Sequence, residues 1–123
     1  FGFTKEEFFK ATDEEKKART QAIQDATKYA TEVPFKVMQL CYNSMEVIKA
    51  MAEVGNPNSV TDAGVGALCA RSAVMGAFLN VKINAAGLTD KAFAEKLIAE
   101  GNVLENKTNE MEAAILKIVN SKI

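Results

Sequence analysis

The chain has 123 residues, 48% of them hydrophobic and 25% charged, with a net charge of −1. That length suits one domain with its own core, 1–123, and so even a balance gives no bulk field for nucleic acid or an anionic membrane. Histidine is absent, which removes the commonest general base near neutral pH and the commonest metal ligand. Cys41 and Cys69 have no zinc-site spacing and sit in apolar context, so both are expected as buried free thiols in a reducing compartment. The chain opens FGFTKEE, without Met or a leader, and is expected to be the back part of a longer protein.

Residues 1–10, FGFTKEEFFK, read as a turn or two of helix that Thr4 can cap, with Phe8 and Phe9 docking on the body. Thr12 and Glu15 have capping-box spacing, so a long helix should start near Asp13. Ala18, Ala22, Ala26 and Ala30 then recur every four residues, a narrow face that lets a neighbour approach closely. Pro34 should kink or restart this helix, since it lacks an N–H and crowds the carbonyl four residues back. Thr31 can cap the restart. The period resumes through Phe35, Met38, Cys41, Tyr42, Met45, Ile48 and Met51, a face read as core.

Gly55-Asn56-Pro57-Asn58-Ser59 ends that helix, with Gly55 as terminator and Ser59 as the next N-cap. A central helix follows over about 60–86. It is too interrupted for a membrane span, with Arg71 between its uncharged runs, and reads as a buried soluble helix. Asp62 and Asn80 lie about five turns apart and share a stripe with Gly66, Cys69, Ala73 and Gly76. Asn84 lies one turn further on. The opposite face carries Val60, Leu68, Val74, Met75, Phe78 and Leu79, interrupted by Arg71 and Lys82. The bulky face is expected in the core, and the small face against another backbone. Thr89 is expected to cap a last helix whose Phe93, Leu97, Leu104, Met111 and Ile118 recur largely at sevens. The fold expected is all-α, an up-and-down bundle of long helices around the buried central one.

Polar groups on a buried helix need partners. Asp62, Arg71, Asn80, Lys82 and Asn84 either bond helix ends and one another or line a pocket where helices meet. No nucleophile–base pair, metal box, phosphate loop or nucleic-acid signature accompanies them.

EVPFKVM, then GNPNSVTDAGVGALCA, then GAFLNVKIN resembles the cyclodeaminase domain of formimidoyltransferase-cyclodeaminases and the related methenyltetrahydrofolate cyclohydrolases. The resemblance runs from about Thr12 to the C-terminus, with Thr61 where the family usually has Ser. It implies a homodimeric helical enzyme of folate one-carbon chemistry in the cytoplasm, with a formimidoyltransferase as a candidate partner and neither nucleic acid nor membrane. It implies a tetrahydrofolate derivative, polyglutamylated or not, as substrate, and no metal or redox cofactor. Candidate substrate-binding residues are Asn56, Asp62, Asn80, Lys82 and Asn84, with Arg71 or Lys82 for the glutamate tail. The main acid or base is expected upstream of Phe1, since the family's glycine-rich segment and following acidic residue have no match here. Phe1–Phe3 resembles the end of the helix that bears that acid. The alternative is a non-catalytic dimerisation module.

Overall fold

The computed structural model describes residues 4–123, the side chains of residues 7–9 excepted. The expectations for Phe8 and Phe9, and for residues 1–3, lie outside the described residues. Four helices follow in order: α1, Lys5–Lys10; α2, Asp13–Val54; α3, Val60–Ala85; and α4, Lys91–Asn120. One 3-10 turn, Pro57–Ser59, sits before α3. Among the described residues the architecture is all-α, as expected. The chain runs up, down and up, so α3 packs antiparallel to both α2 and α4.

The capping box forms as its spacing predicts. Glu15 N–H donates to Thr12 Oγ1 at 3.2 Å, and Thr12 N–H donates to Glu15 Oε1 at 3.4 Å. Pro34 does not break the chain into two helices; α2 runs unbroken for 42 residues. Thr31 is no cap either. It is fully buried, and its hydroxyl donates to the Thr27 carbonyl at 2.7 Å. The Ala30 carbonyl, which Pro34 cannot serve, instead accepts from Asn84 Nδ2 of α3 at 2.9 Å. A side chain from the neighbouring helix thus supplies the donor that proline removes.

The alanine stripe of α2 is on the surface, and the inward positions there are Gln24, Thr27 and Thr31. Length accounts for Ala18 and Ala22: α2 spans about 63 Å and α3 about 39 Å, so the first turns of α2 reach past the end of α3, whereas Ala26 and Ala30 are turned off the inward face that Thr27 and Thr31 occupy. Gln24 closes that end, accepting from Thr89 N–H at 2.9 Å and donating to the Gly87 carbonyl at 3.1 Å. Thr89 is therefore used by Gln24. The cap of α4 is Asp90, which accepts from Phe93 N–H at 3.1 Å.

The buried face of α3 is narrower and smaller than the expected bulky one. Val60, Val74 and Phe78 are inside, but so are Ala63, Gly64, Ala67, Ala70 and Ala77. Leu68 and Leu79 face outward, 46% and 66% exposed. The expected small stripe also faces outward at Asp62, Cys69, Ala73, Gly76 and Asn80. Cys69 is thus exposed and Cys41 half-buried, and both are free. By length and composition alone α3 could cross a membrane, and 39% of its most apolar window is buried in the bundle.

On α4 the seam alternates threes and fours through Ala94, Leu97, Gly101, Leu104, Thr108, Met111, Ile115 and Ile118. Half of it is the expected repeat at sevens. The other half is hidden in sequence behind a glycine and a threonine. A Cβ on Gly101 would overlap the ring of Phe78, so glycine is what lets α4 close on α3 there.

Candidate functional site

The α2–α3 junction begins at its turn, residues 55–59. The helix must reverse within a few residues, and each residue has a reason. Gly55 donates its N–H to Met51 O at 2.9 Å, and a Cβ on it would overlap that same oxygen. Its backbone is extended, not left-handed, so close approach is what calls for glycine here. Asn56 then caps the 3-10 turn: its Oδ1 accepts from Asn58 N–H at 3.0 Å. Pro57 occupies the first helical position, where a missing N–H costs nothing. Ser59 stands at the N-cap of α3 but makes no side-chain cap bond, contrary to expectation.

A cavity of about 380 Å³ opens beside this turn. Val47, Ile48 and Met51 of α2 form its apolar wall, and Gly55, Asn56, Ser59 and Asp62 supply its polar rim. Gly66 borders it, with Ile48 Cδ1 3.7 Å from where a Cβ would sit. Lys122, near the end of α4, holds the back of the turn. Its Nζ donates to the carbonyls of Ala52 and Glu53 at 2.7 and 2.6 Å, groups left without partners by the end of α2. Nothing in the local sequence marks Lys122 for this role.

Asn80 and Asn84 lie elsewhere. With Ala30, Val33, Pro34, Val37, Ala73 and Ala77 they line a second groove, of about 490 Å³, on the same α2–α3 seam. Asn84 is engaged by the Ala30 carbonyl. Asn80 donates only a long 3.5 Å bond to Gly76 O. Eighteen residues of helix put Asp62 and Asn80 about 27 Å apart, so one small heterocycle cannot touch both.

Lys82 is on a third surface, between α3 and α4, in a groove of about 430 Å³ with Lys91, Glu95 and Asn102. Its ammonium lies 4.2 Å from the centre of the Phe78 ring. Arg71 is bound within the fold: its Nε donates to Asn109 Oδ1 at 2.9 Å. Glu112 Oε2 lies 3.5 Å from the same nitrogen, an ion-pair distance without hydrogen-bond geometry. The structure thus brings Asn56 and Asp62 together, brings Asn80 and Asn84 together, and separates Lys82 from both pairs. Among the described residues, no three His, Cys, Asp or Glu side chains form a group that could hold a metal.

Chemically, the Asp62 cavity offers an apolar slot, a carboxylate, an amide and a hydroxyl. That suits binding and orienting a flat polar heterocycle. Comparison with known proteins identifies the family. The family model described as formiminotransferase-cyclodeaminase matches residues 5–103. A methenyltetrahydrofolate cyclohydrolase from Methylorubrum extorquens is 41% identical over 114 residues, 93% of this chain and 55% of the relative. Formimidoyltransferase-cyclodeaminases from Rattus norvegicus and Gallus gallus are 34% and 38% identical over 71% and 68% of this chain. The chain spans 55% of the length of that cyclohydrolase and 16% of each of those two larger proteins. On the extent of the family match and of the bacterial identity, the chain belongs to the formiminotransferase-cyclodeaminase family.

Proposed function

We propose that the natural protein containing this chain is a folate one-carbon enzyme that hydrolyses 5,10-methenyltetrahydrofolate to 10-formyltetrahydrofolate. The observation that carries this reading is the 41% identity to a cyclohydrolase across 93% of the chain. In the reaction, water adds to the cationic methenyl carbon and loses a proton. The new hydroxyl then gives up its proton and N5 takes one as the bond from that carbon to N5 breaks, and the formyl group stays on N10. Such a step needs orientation, a proton acceptor and fixed dipoles around a cation. To this chain's residues we assign binding and orientation. Asp62 and Asn56 hold the ring end of the substrate in the cavity beside the turn. Asn80 lies further along the same seam. Asn84 acts through the seam by fixing α2 against α3. Lys82 and Lys91 present two ammonium groups to an anionic tail, and only a long, polyglutamylated tail would reach them from the cavity. No metal or redox cofactor enters this chemistry.

Cyclodeamination is the second reading, favoured by the relatives named formimidoyltransferase-cyclodeaminase. There N10 attacks the formimino carbon of 5-formiminotetrahydrofolate and ammonia leaves, giving the methenyl compound. We place the protein in the cytoplasm, where Cys41 and Cys69 would stay as free thiols. We further propose a homodimer packed through the outward small stripe of α3, with a formimidoyltransferase as a candidate partner. The test is a side-by-side assay of the full-length protein on both substrates. Loss of the methenyl absorbance without ammonia release is the expected result. Ammonia release from the formimino compound alone would transfer the assignment to the second reading. Neither activity at high enzyme concentration, with dimerisation intact and no folate bound, would leave a non-catalytic module.

A further inference from the structure

The cavity beside the α2–α3 turn carries three polar groups that the fold leaves free. A helix normally consumes the side chains at its N-terminus, because its first amides lack partners. Here it does not. Ser59 makes no cap bond. Asp62, in the first turn, has no hydrogen bond or ion pair with any described residue. Asn56 spends its Oδ1 on Asn58 N–H, which leaves its Nδ2 as a donor. These groups border a slot whose other wall is Val47, Ile48 and Met51.

An unpaired carboxylate offers two acceptors side by side, and an amide nitrogen offers a donor next to them. The complement is a flat ring edge with two adjacent N–H donors followed by a carbonyl. A branched apolar wall and a methionine suit the face of such a ring. We propose that Asp62 and Asn56, with Ser59 beside them, read the 2-amino-4-oxopyrimidine edge of a pterin. Asp62 accepts from the ring N3–H and the 2-amino group, and Asn56 Nδ2 donates to the 4-oxo oxygen. Charge-assisted pairs of this kind are among the stronger hydrogen bonds. The inference rests on the folate reading and adds to it which edge of the ring is read, and by which atoms.

The experiment measures equilibrium binding to the full-length protein of two ligands, tetrahydrofolate and its analogue with a methyl in place of the 2-amino group. For the unmodified protein, the analogue should bind about 10- to 100-fold more weakly. Asp62→Asn should weaken tetrahydrofolate by a similar factor and the analogue clearly less, because the analogue keeps N3–H as the one remaining donor to this side chain and Asn Oδ1 can still accept from it. Asn56→Asp keeps the acceptor for Asn58 and turns the donor into a repulsive oxygen. It should weaken both ligands alike, about 10-fold, since both keep the 4-oxo group. Thermal melts of both variants check the fold. If Asp62→Asn weakens both ligands equally, or neither, the pterin assignment falls and the folate reading stands. If the unmodified protein binds neither ligand and turns over neither substrate, the folate reading falls and takes this inference with it.

Discussion

Gly101→Ala separates helix propensity from packing, because the two predict opposite signs. Position 101 lies in the middle of α4, where replacing glycine by alanine should stabilise a helix by about 1 kcal/mol. The added Cβ, however, would overlap the Phe78 ring, with Phe78 Cζ only 2.8 Å away. Phe78 is 1% exposed and packed on several sides, so it has little room to turn. Overpacking of this kind costs roughly 1–3 kcal/mol. The net expectation is a loss of about 0–2 kcal/mol, a drop of up to roughly 10 °C in melting temperature. The chain has no Trp, so urea and thermal unfolding are followed by far-ultraviolet circular dichroism. Phe78→Leu removes the outer ring atoms that meet the new Cβ. In that background Gly101→Ala should stabilise by up to about 1 kcal/mol, a coupling of roughly 1–3 kcal/mol between the sites. A stabilised single variant, or an equal loss in both backgrounds, would refute this account of the glycine.

Asn84→Ala should cost about 1–2 kcal/mol, because the Ala30 carbonyl loses its donor; Pro34→Ala restores an N–H there, so in that background the Asn84→Ala cost should fall below about 0.5 kcal/mol in the same unfolding assay. Thr108 is fully buried, and its hydroxyl has no partner among the described residues, so Thr108→Val should raise stability by about 1 kcal/mol in urea titration, whereas Thr108→Ser should lower it by removing a packed methyl.

The parts of this structure that depend on local chemistry were legible in the sequence. Thr12 and Glu15 carry a capping box within four residues, and helix α2 begins where they place it. Gly55 and Pro57 mark the turn, and the central helix ends one residue from its expected limit. What was not legible depends on partners distant in sequence. Pro34 signals a break by its own chemistry, and the compensating donor lies 54 residues away on Asn84. The inward face of α3 depends on its close packing against both α2 and α4, where Ala63, Ala67 and Ala70 turn inward while Leu79 and Ile83 stay outside. For the candidate site, Asn56 and Asp62 fall within one motif, and they border one cavity. Helical phase also put Asn80 on that face, but phase alone ignores the distance along the axis. Lys122 carries no local mark at all, since its function is to reach the end of another helix.

The bond from Asn84 to the Ala30 carbonyl also bears on the order in which the chain folds. Before α3 arrives, the segment that becomes α2 has a gap in its ladder at Pro34, so its two parts nucleate as separate short helices. They become one rod only when a residue more than fifty positions later docks against them. Closing a loop of that size comes after local helix formation. The continuity of α2 is therefore a late event, acquired with the tertiary structure. Weakening the Asn84 contact should hasten unfolding far more than it slows folding.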